Sequence, residues 1–439
     1  ENPVSLSPVT RERRRSAGAA LRGKKGGRPE KGGREAEGMH LTRRRWIAAA
    51  GATAAAAALP ARSLEADATA PPLPPPLPAE AFRERQAKLR AAARSASLDA
   101  LFVTPSTDLA YAADLSIGRS ERLTALLLFT DGPAALLTPA FEAENHRRAA
   151  VVDEIVTWNE DEDPIAAAAK MLKKAKAIGV EGSAPYATVA RLLEAAEVRA
   201  SDASPLFDAL RMIKGPQEQD FLRDAARRTS LAIEAVHRQL SRGIAEGEAA
   251  VILEREFQRL GVRGSGLVQF GPSSAFPHGA PGDRRLAIGD AVLIDAGCRV
   301  RGYTSDITRT VSFGPPSDEL RKVYAAVDRA QKAGIEALKV GTAGEDADRA
   351  ARRIIEEAGY GAFFTHRLGH GLGMDGHEPP YLVAGNGKAL AAGNTVTVEP
   401  GIYLPGRFGV RIEDDFAVRD AATAAALSAR PRDLSVLSP

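Results

Sequence analysis

One twelve-residue pattern occurs twice in this chain and constrains its fold more than any other feature. Leu286-Ala287-Ile288-Gly289-Asp290-Ala291-Val292-Leu293-Ile294-Asp295-Ala296-Gly297 aligns with Leu390-Ala391-Ala392-Gly393-Asn394-Thr395-Val396-Thr397-Val398-Glu399-Pro400-Gly401. The shared frame is Leu-Ala-x-Gly-(Asp/Asn)-x-Val-x-x-(Asp/Glu)-x-Gly. A second acid follows each copy, Asp306 after 11 residues and Glu413 after 14. Each copy reads as a glycine turn, a buried strand ending in an acid, a glycine-containing reversal and a return strand with a second acid. Two such units related by a pseudo-twofold axis bring four carboxylates to one place.

Carboxylates at the ends of apolar runs are costly in a sheet core unless something cationic neutralises them. Between the two copies lies Thr365-His366-Arg367-Leu368-Gly369-His370-Gly371-Leu372-Gly373-Met374-Asp375-Gly376-His377-Glu378-Pro379-Pro380, which holds three of the chain's seven histidines. Packing alone does not account for that density. Four acids with an imidazole form an oxygen-rich, nitrogen-poor donor set, suited to a pair of Mn, Fe, Co or Zn ions rather than to a thiolate zinc site. Such a pair can activate one water between them and polarise a carbonyl. The single cysteine, Cys298, excludes an internal disulfide and reads as a small buried hydrophobe.

At 439 residues, 44 % hydrophobic and 26 % charged, the chain has room for more than one globular domain. The net charge of +3 is concentrated at the start: residues 1–45 hold 13 Lys/Arg against 5 Asp/Glu, and the rest carries 46 against 51. The body is therefore mildly acidic, and no basic stripe interleaved with aromatics speaks for nucleic acid. Residues 1–38 read as a disordered basic tail, or as upstream of a true start at Met39. Residues 39–61 run from Arg43-Arg44-Arg45-Trp46 through an Ala-dominated stretch to Leu59-Pro60-Ala61 and resemble a twin-arginine export signal, which implies a periplasmic or extracellular protein. That stretch is too short and too weakly apolar for a stable membrane span. Residues 62–80 form a Pro-rich linker. Residues 81–96 read as a helix, and residues 100–104 and 124–129 as buried strands, within a small α/β domain over 81–205. Gly215-Pro216 interrupts the pattern, a boundary is expected between 200 and 215, and an α+β domain fills 206–439.

The runs Pro272-Ser273-Ser274-Ala275-Phe276-Pro277-His278-Gly279, Ile294-Asp295-Ala296-Gly297 with Ser305-Asp306-Ile307-Thr308-Arg309-Thr310, Gly369-His370-Gly371-Leu372-Gly373 with His377-Glu378-Pro379, and Val398-Glu399-Pro400-Gly401 with Val410-Arg411-Ile412-Glu413-Asp414 resemble, in order and spacing, those of the pita-bread metallopeptidases. This family includes aminopeptidase P, prolidase, methionine aminopeptidase and the metal-free creatinase. Residues 81–205 are similar to the creatinase-type N-terminal domain. The resemblance implies a metal set of Asp295, Asp306, His370, Glu399 and Glu413. In it Asp306 and Glu413 bridge both ions, Asp295 completes one, and His370 with Glu399 completes the other. It also implies that Glu399 is the acid/base for a bridging hydroxide, that His278, His366 and His377 line the substrate cleft, and that Arg411 orients the carboxylates. His377 would stabilise the tetrahedral intermediate or shuttle its proton, and His278 would contact the substrate near the scissile bond.

A complete ligand set points away from a creatinase-like enzyme or a pure binding module, and the extra N-terminal domain points away from methionine aminopeptidase. The expected activity is release of the N-terminal residue from small peptides with proline second, by a homodimer. Xaa-Pro dipeptide cleavage, as in prolidase, and hydrolysis of a small non-peptide amide are the alternatives.

Overall fold

The computed structural model describes residues 71–279, 282–429 and 433–439. The expected basic tail and export signal lie outside the described residues. Among the described residues no helix is long and apolar enough to cross a membrane.

The first domain comprises α1 (Ala79–Ser95), β1 (Ala100–Val103), α2 (Thr107–Ala113), β2 (Ala125–Phe129), β3 (Ala134–Pro139), α3 (Ala143–Ala149), β4 (Glu154–Trp158), α4 (Pro164–Met171), β5 (Ala177–Val180), α5 (Tyr186–Ala196), β6 (Arg199–Asp202) and α6 (Ser204–Arg211). Its six strands form one mixed sheet in the order β4-β3-β2-β1-β5-β6. Leu101, Phe102, Leu126, Leu127, Leu136 and Leu137 are fully buried, as strands covered on both faces require. A division at residue 205 would place α6 in the second domain. Instead Phe207 packs with Leu89, Leu101 and Val103 in the core of the first, and the chain crosses between domains at residues 212–215.

The second domain comprises α7 (Pro216–Gln239), α8 (Glu246–Arg259), β7 (Arg263–Phe270), β8 (Ala291–Val300), β9 (Tyr303–Thr304), β10 (Ile307–Phe313), α9 (Asp318–Glu336), α10 (Gly344–Glu357), β11 (Gly369–Gly371), β12 (Glu378–Leu382), β13 (Thr395–Val398), β14 (Gly401–Leu404), β15 (Phe408–Arg411), β16 (Asp414–Val418), β17 (Ala424–Ala426) and β18 (Val436–Leu437). One sheet has the order β18-β10-β8-β7 and the other β12-β11-β13-β16-β17. Each carries its own helix pair. Phe221, Leu253 and Phe257 of α7 and α8 pack on Val292 and Ile294 of β8, while Leu320, Val327 and Ile355 of α9 and α10 pack on Val396 and Val398 of β13. This doubled arrangement of helices and sheet is the pita-bread fold. Cys298 lies in the first of these cores, where burial pushes its thiol up to about 11.

The repeat is reproduced down to single hydrogen bonds. Gly289 and Gly393 both sit at φ +90°, a conformation open to glycine and strained for other residues. The next side chain then accepts from the amide three residues back, Asp290 from Ala287 at 3.0 Å and Asn394 from Ala391 at 2.8 Å. After the acids the copies differ from the expected scheme. Asp295 lies mid-strand rather than at an end, because β8 continues to Val300 before turning at Arg301–Gly302. In the second copy the reversal is not a turn but a complete hairpin, β14–β15, inserted ahead of β16.

The described part of the Pro-rich segment, residues 71–78, is held against the second domain. Proline carries no amide donor, so its carbonyls make the bonds: Pro71 accepts from Arg228 and Pro74 from Arg301, both at 2.7 Å.

Candidate metal centre

All nine residues singled out in the sequence line one cleft of about 420 Å³, with Pro277 and Arg367 completing its wall. Asp295 lies on β8, Asp306 immediately before β10, His370 on β11, Glu399 immediately after β13, and Glu413 immediately before β16. Oxygen atoms of Asp295, Asp306 and Glu413 lie within 4.8 Å of one another, and so do ligand atoms of His370, Glu399 and Glu413. The two groups share Glu413. A third group, Asp306, His370 and His377, meets the same limit, so His377 stands at the edge of the cluster.

His370 is held for ligation. Its Nδ1 lies 3.0 Å from the Gly371 carbonyl oxygen, which fixes the tautomer with Nδ1–H donating. Nε2 is left facing Glu399 Oε1 at 3.3 Å and Asp306 Oδ2 at 3.8 Å. The flanking glycines answer a close approach of strands: a Cβ on Gly369 would stand 2.1 Å from the Thr397 carbonyl, and one on Gly371 2.3 Å from that of Pro379.

The electrostatics show a surplus of negative charge. Burial, then the charges of Asp295 and Glu399, push Asp306 well above the usual carboxylate range. Burial, then Asp306 and Glu399, do the same to Glu413. Glu399 differs. Burial pushes it up, but the hydrogen bond and charge of His370, with His366 and Arg411, outweigh this and hold it below its ordinary value. Arg411 is the fully buried cation of the cleft, held protonated against burial by Tyr403, Asp295 and Glu413. Four acids against one committed arginine, with an imidazole nitrogen turned inward, fit a pair of divalent ions.

Arg411 donates to both halves of the domain. One Nη pairs with Asp295, Nε donates to Thr308 Oγ1 at 3.0 Å, and Nη1 donates to Tyr403 OH at 2.8 Å. Salt bridging and orientation of the carboxylates are here one arrangement. Sequence reasoning missed the side chains that complete it. Thr308 Oγ1 donates to Glu413 Oε2 at 2.6 Å, and Thr397 Oγ1 accepts from His370 N at 3.1 Å and donates to Glu399 at 3.2 Å. Tyr403 OH joins Arg411 to His366 Nε2 at 2.8 Å. The available signal was that polar residues inside fully buried strands need partners. Asp415, also fully buried, accepts from the Asp306 amide at 3.3 Å, and its Oδ1 has no hydrogen-bond partner among the described residues. The three other histidines sit differently. His366 is half-buried and depressed by burial, while His278 and His377 are exposed at the mouth. The His377 ring lies 3.8 Å from that of His370 and is depressed by burial, then by His370 and Arg367.

A family model described as metallopeptidase family M24 matches residues 220–420, and one described as creatinase/prolidase N-terminal domain matches residues 85–213. An uncharacterized peptidase of Staphylococcus aureus (strain MSSA476) is 38 % identical over 327 residues, covering 73 % of this chain and 92 % of the relative. The dipeptidase PepE of Mycobacterium ulcerans aligns with a TM-score of 0.78 at 34 % identity, covering 83 % of this chain and 100 % of that one. An Xaa-Pro dipeptidase of Bacillus anthracis gives 0.76 at 33 % identity, over 81 % and 100 % of the two chains. An X-Pro aminopeptidase of Thermotoga maritima gives 0.71 at 29 %, over 80 % and 100 %. The chain belongs to metallopeptidase family M24, whose enzymes use divalent metals, and carries a creatinase/prolidase N-terminal domain.

Proposed function

We propose that this member of metallopeptidase family M24 is an exopeptidase that holds two divalent ions and hydrolyses the bond between an N-terminal residue and a following proline. The observation that carries this reading is one cleft in which Asp295, Asp306, His370, Glu399 and Glu413 converge beside three further imidazoles. The solved relatives named for Xaa-Pro substrates support the substrate class. Asp295, Asp306, His370, Glu399 and Glu413 would hold the ions, with Glu413 common to the carboxylate group and the group that contains His370. Bound there, the pair supplies a Lewis acid for the scissile carbonyl and lowers the pKa of water, and the oxygen-rich donor set favours Mn among the ions that serve.

Glu399 is the acid/base. Its carboxylate lines the cleft beside His370 and His366, where it can take a proton from the attacking water and pass it to the leaving proline nitrogen. His377, at the cleft mouth, stabilises the charge that develops on the carbonyl oxygen or relays a proton, and His278 meets the substrate beside the scissile bond. His366 is placed by Tyr403, and Arg411 holds Asp295 in position. The Arg-Arg-Arg-Trp segment at residues 43–46 supports export through the twin-arginine route.

One feature favours cleavage of Xaa-Pro dipeptides over longer peptides. Arg367 lines the cleft with its guanidinium 4.5 Å from the Tyr381 ring and no carboxylate partner among the described residues, a place suited to a substrate carboxylate. The deciding experiment is hydrolysis of Xaa-Pro dipeptides and Xaa-Pro-Yaa tripeptides by metal-stripped protein with Mn, Co, Fe or Zn restored. Metal-dependent release from tripeptides identifies an aminopeptidase, and cleavage of dipeptides alone identifies a dipeptidase. No cleavage with any metal would sink the Xaa-Pro reading and turn attention to small non-peptide amides.

A further inference from the structure

His377 is poorly held by its own side chain. It is exposed, its ring touches that of His370 at 3.8 Å, and among the described residues its hydrogen bond is a 3.3 Å contact from Arg367 to Nδ1, so which atoms it presents to the cleft depends on the backbone of residues 373–378. One flank of that loop is fixed by the catalytic domain itself, where Thr304 N donates to the Gly373 carbonyl at 2.8 Å and Arg299 to that of Met374 at 2.9 Å. The other flank is fixed from the first domain. Arg211, the last residue of α6, donates to Glu378 Oε2 and to Asp108 of α2, both at 2.8 Å, and pairs with Asp375. Thr107 Oγ1 of α2 donates to Asp375 at 2.6 Å, and Lys214 in the crossing segment pairs with Glu378.

Arg211, Lys214, Glu378 and Asp108 are all buried. Buried ion pairs are poor stabilisers, because desolvation offsets most of their attraction, yet they strongly disfavour any geometry that separates the partners. This one spans Glu378, the neighbour of His377, and Asp375, two residues before it. We infer that the Arg211-centred network is a positioning device: the first domain sets the loop that presents His377, and Arg211 acts on the reaction through that imidazole. This rests on the role proposed for His377.

The test is a double-mutant cycle in the full, metal-loaded chain on an Xaa-Pro peptide. Arg211→Lys keeps the charge but cannot reach three carboxylates at once. It is expected to lower kcat about tenfold with KM changed less than about twofold and metal content unchanged. In a His377→Ala background the same change should cost less than about twofold, because the group it acts through is gone. Thr107→Val, which removes a single contact and is tolerated more easily, should show a smaller loss that also vanishes in that background. Equal losses with and without His377, or a lowered Tm with kcat intact, would overturn the inference and leave the network as domain adhesive. If His377→Ala alone leaves kcat unchanged, the role of His377 falls and the inference with it, an outcome separable from the first because it needs no Arg211 variant.

Discussion

In each half of the catalytic domain a glycine at φ +90° turns the chain into a buried strand bearing an acid, Gly289 ahead of β8 and Gly393 ahead of β13, and then the halves part. In the first half β8 runs five residues past Asp295 and returns through the short β9 into β10, so that Asp295 faces Thr308 across the ladder. In the second half β13 stops at Val398, and the hairpin β14–β15 intervenes before β16. That hairpin carries Tyr403 and Arg411, and Arg411 reaches across to pair with Asp295 of the other half. The result is a division of labour between matched acids. Asp295 is paired directly with a guanidinium, whereas among the described residues the ion-pair partner of Glu399 is the His370 imidazole at 3.3 Å, with the Arg411 charge acting only at longer range. A repeat can thus gather matched acids in one cleft while an inserted hairpin gives an arginine partner to one of them and not to the other.

Glu399→Gln against Asp295→Asn tests this difference most severely. The first should lower kcat about a thousandfold even with metal bound, the second about tenfold in excess metal, as steady-state assays would show. Equal losses would mean that the two acids share one role. Metal removal probes what the halves share. Stripping the ions should lower Tm, and restoring them at about a hundredfold over Kd should return roughly 2.7 kcal/mol of stability. A chelator without effect on Tm would deny that the four acids hold metal. The supporting threonines come next. Thr308→Val and Thr397→Val should each weaken metal affinity about tenfold to a hundredfold in competition titrations, since each steadies an acid of the cluster. Last are the turns themselves. Asn394 Nδ2 donates to the Met212 carbonyl at 3.1 Å, a bond that aspartate cannot make, so Asn394→Asp should cost about 1 to 2 kcal/mol in urea unfolding. Asp290→Asn keeps the turn and loses only a partly exposed pair with Arg284, for less than about 1 kcal/mol.

The pair Asp290 and Asn394 shows where sequence reading stopped. Both follow the glycine of the turn that the repeat made legible, and in the structure both accept from the amide three residues back. That the second must be an amide followed only once the crossing segment was seen against it. Tyr403 is similar. Within Gly401-Ile402-Tyr403-Leu404 it reads as one more buried strand residue, and its link between His366 and Arg411 depends on a hairpin with no counterpart in the first copy. Of the expected site residues, the four acids were legible from matched places in a repeat and His366, His370 and His377 from one glycine-rich run, whereas His278 and Arg411 came only with the resemblance to the pita-bread metallopeptidases.

The nine side chains of the cleft came together through a family resemblance, while the residues themselves specified the doubled acid-bearing units and the α/β domain ahead of them. These follow from glycine placement, strand patterning and the cost of burying carboxylates, all of which act over a few residues. Only the tertiary structure decided which acid received the arginine, which threonines support the ligands, and that Arg211 of the first domain reaches the loop of His377. Those outcomes depend on pairs such as Arg411 with Asp295 and Arg211 with Glu378, more than a hundred residues apart, whose meeting is fixed by how the sheets and helices pack.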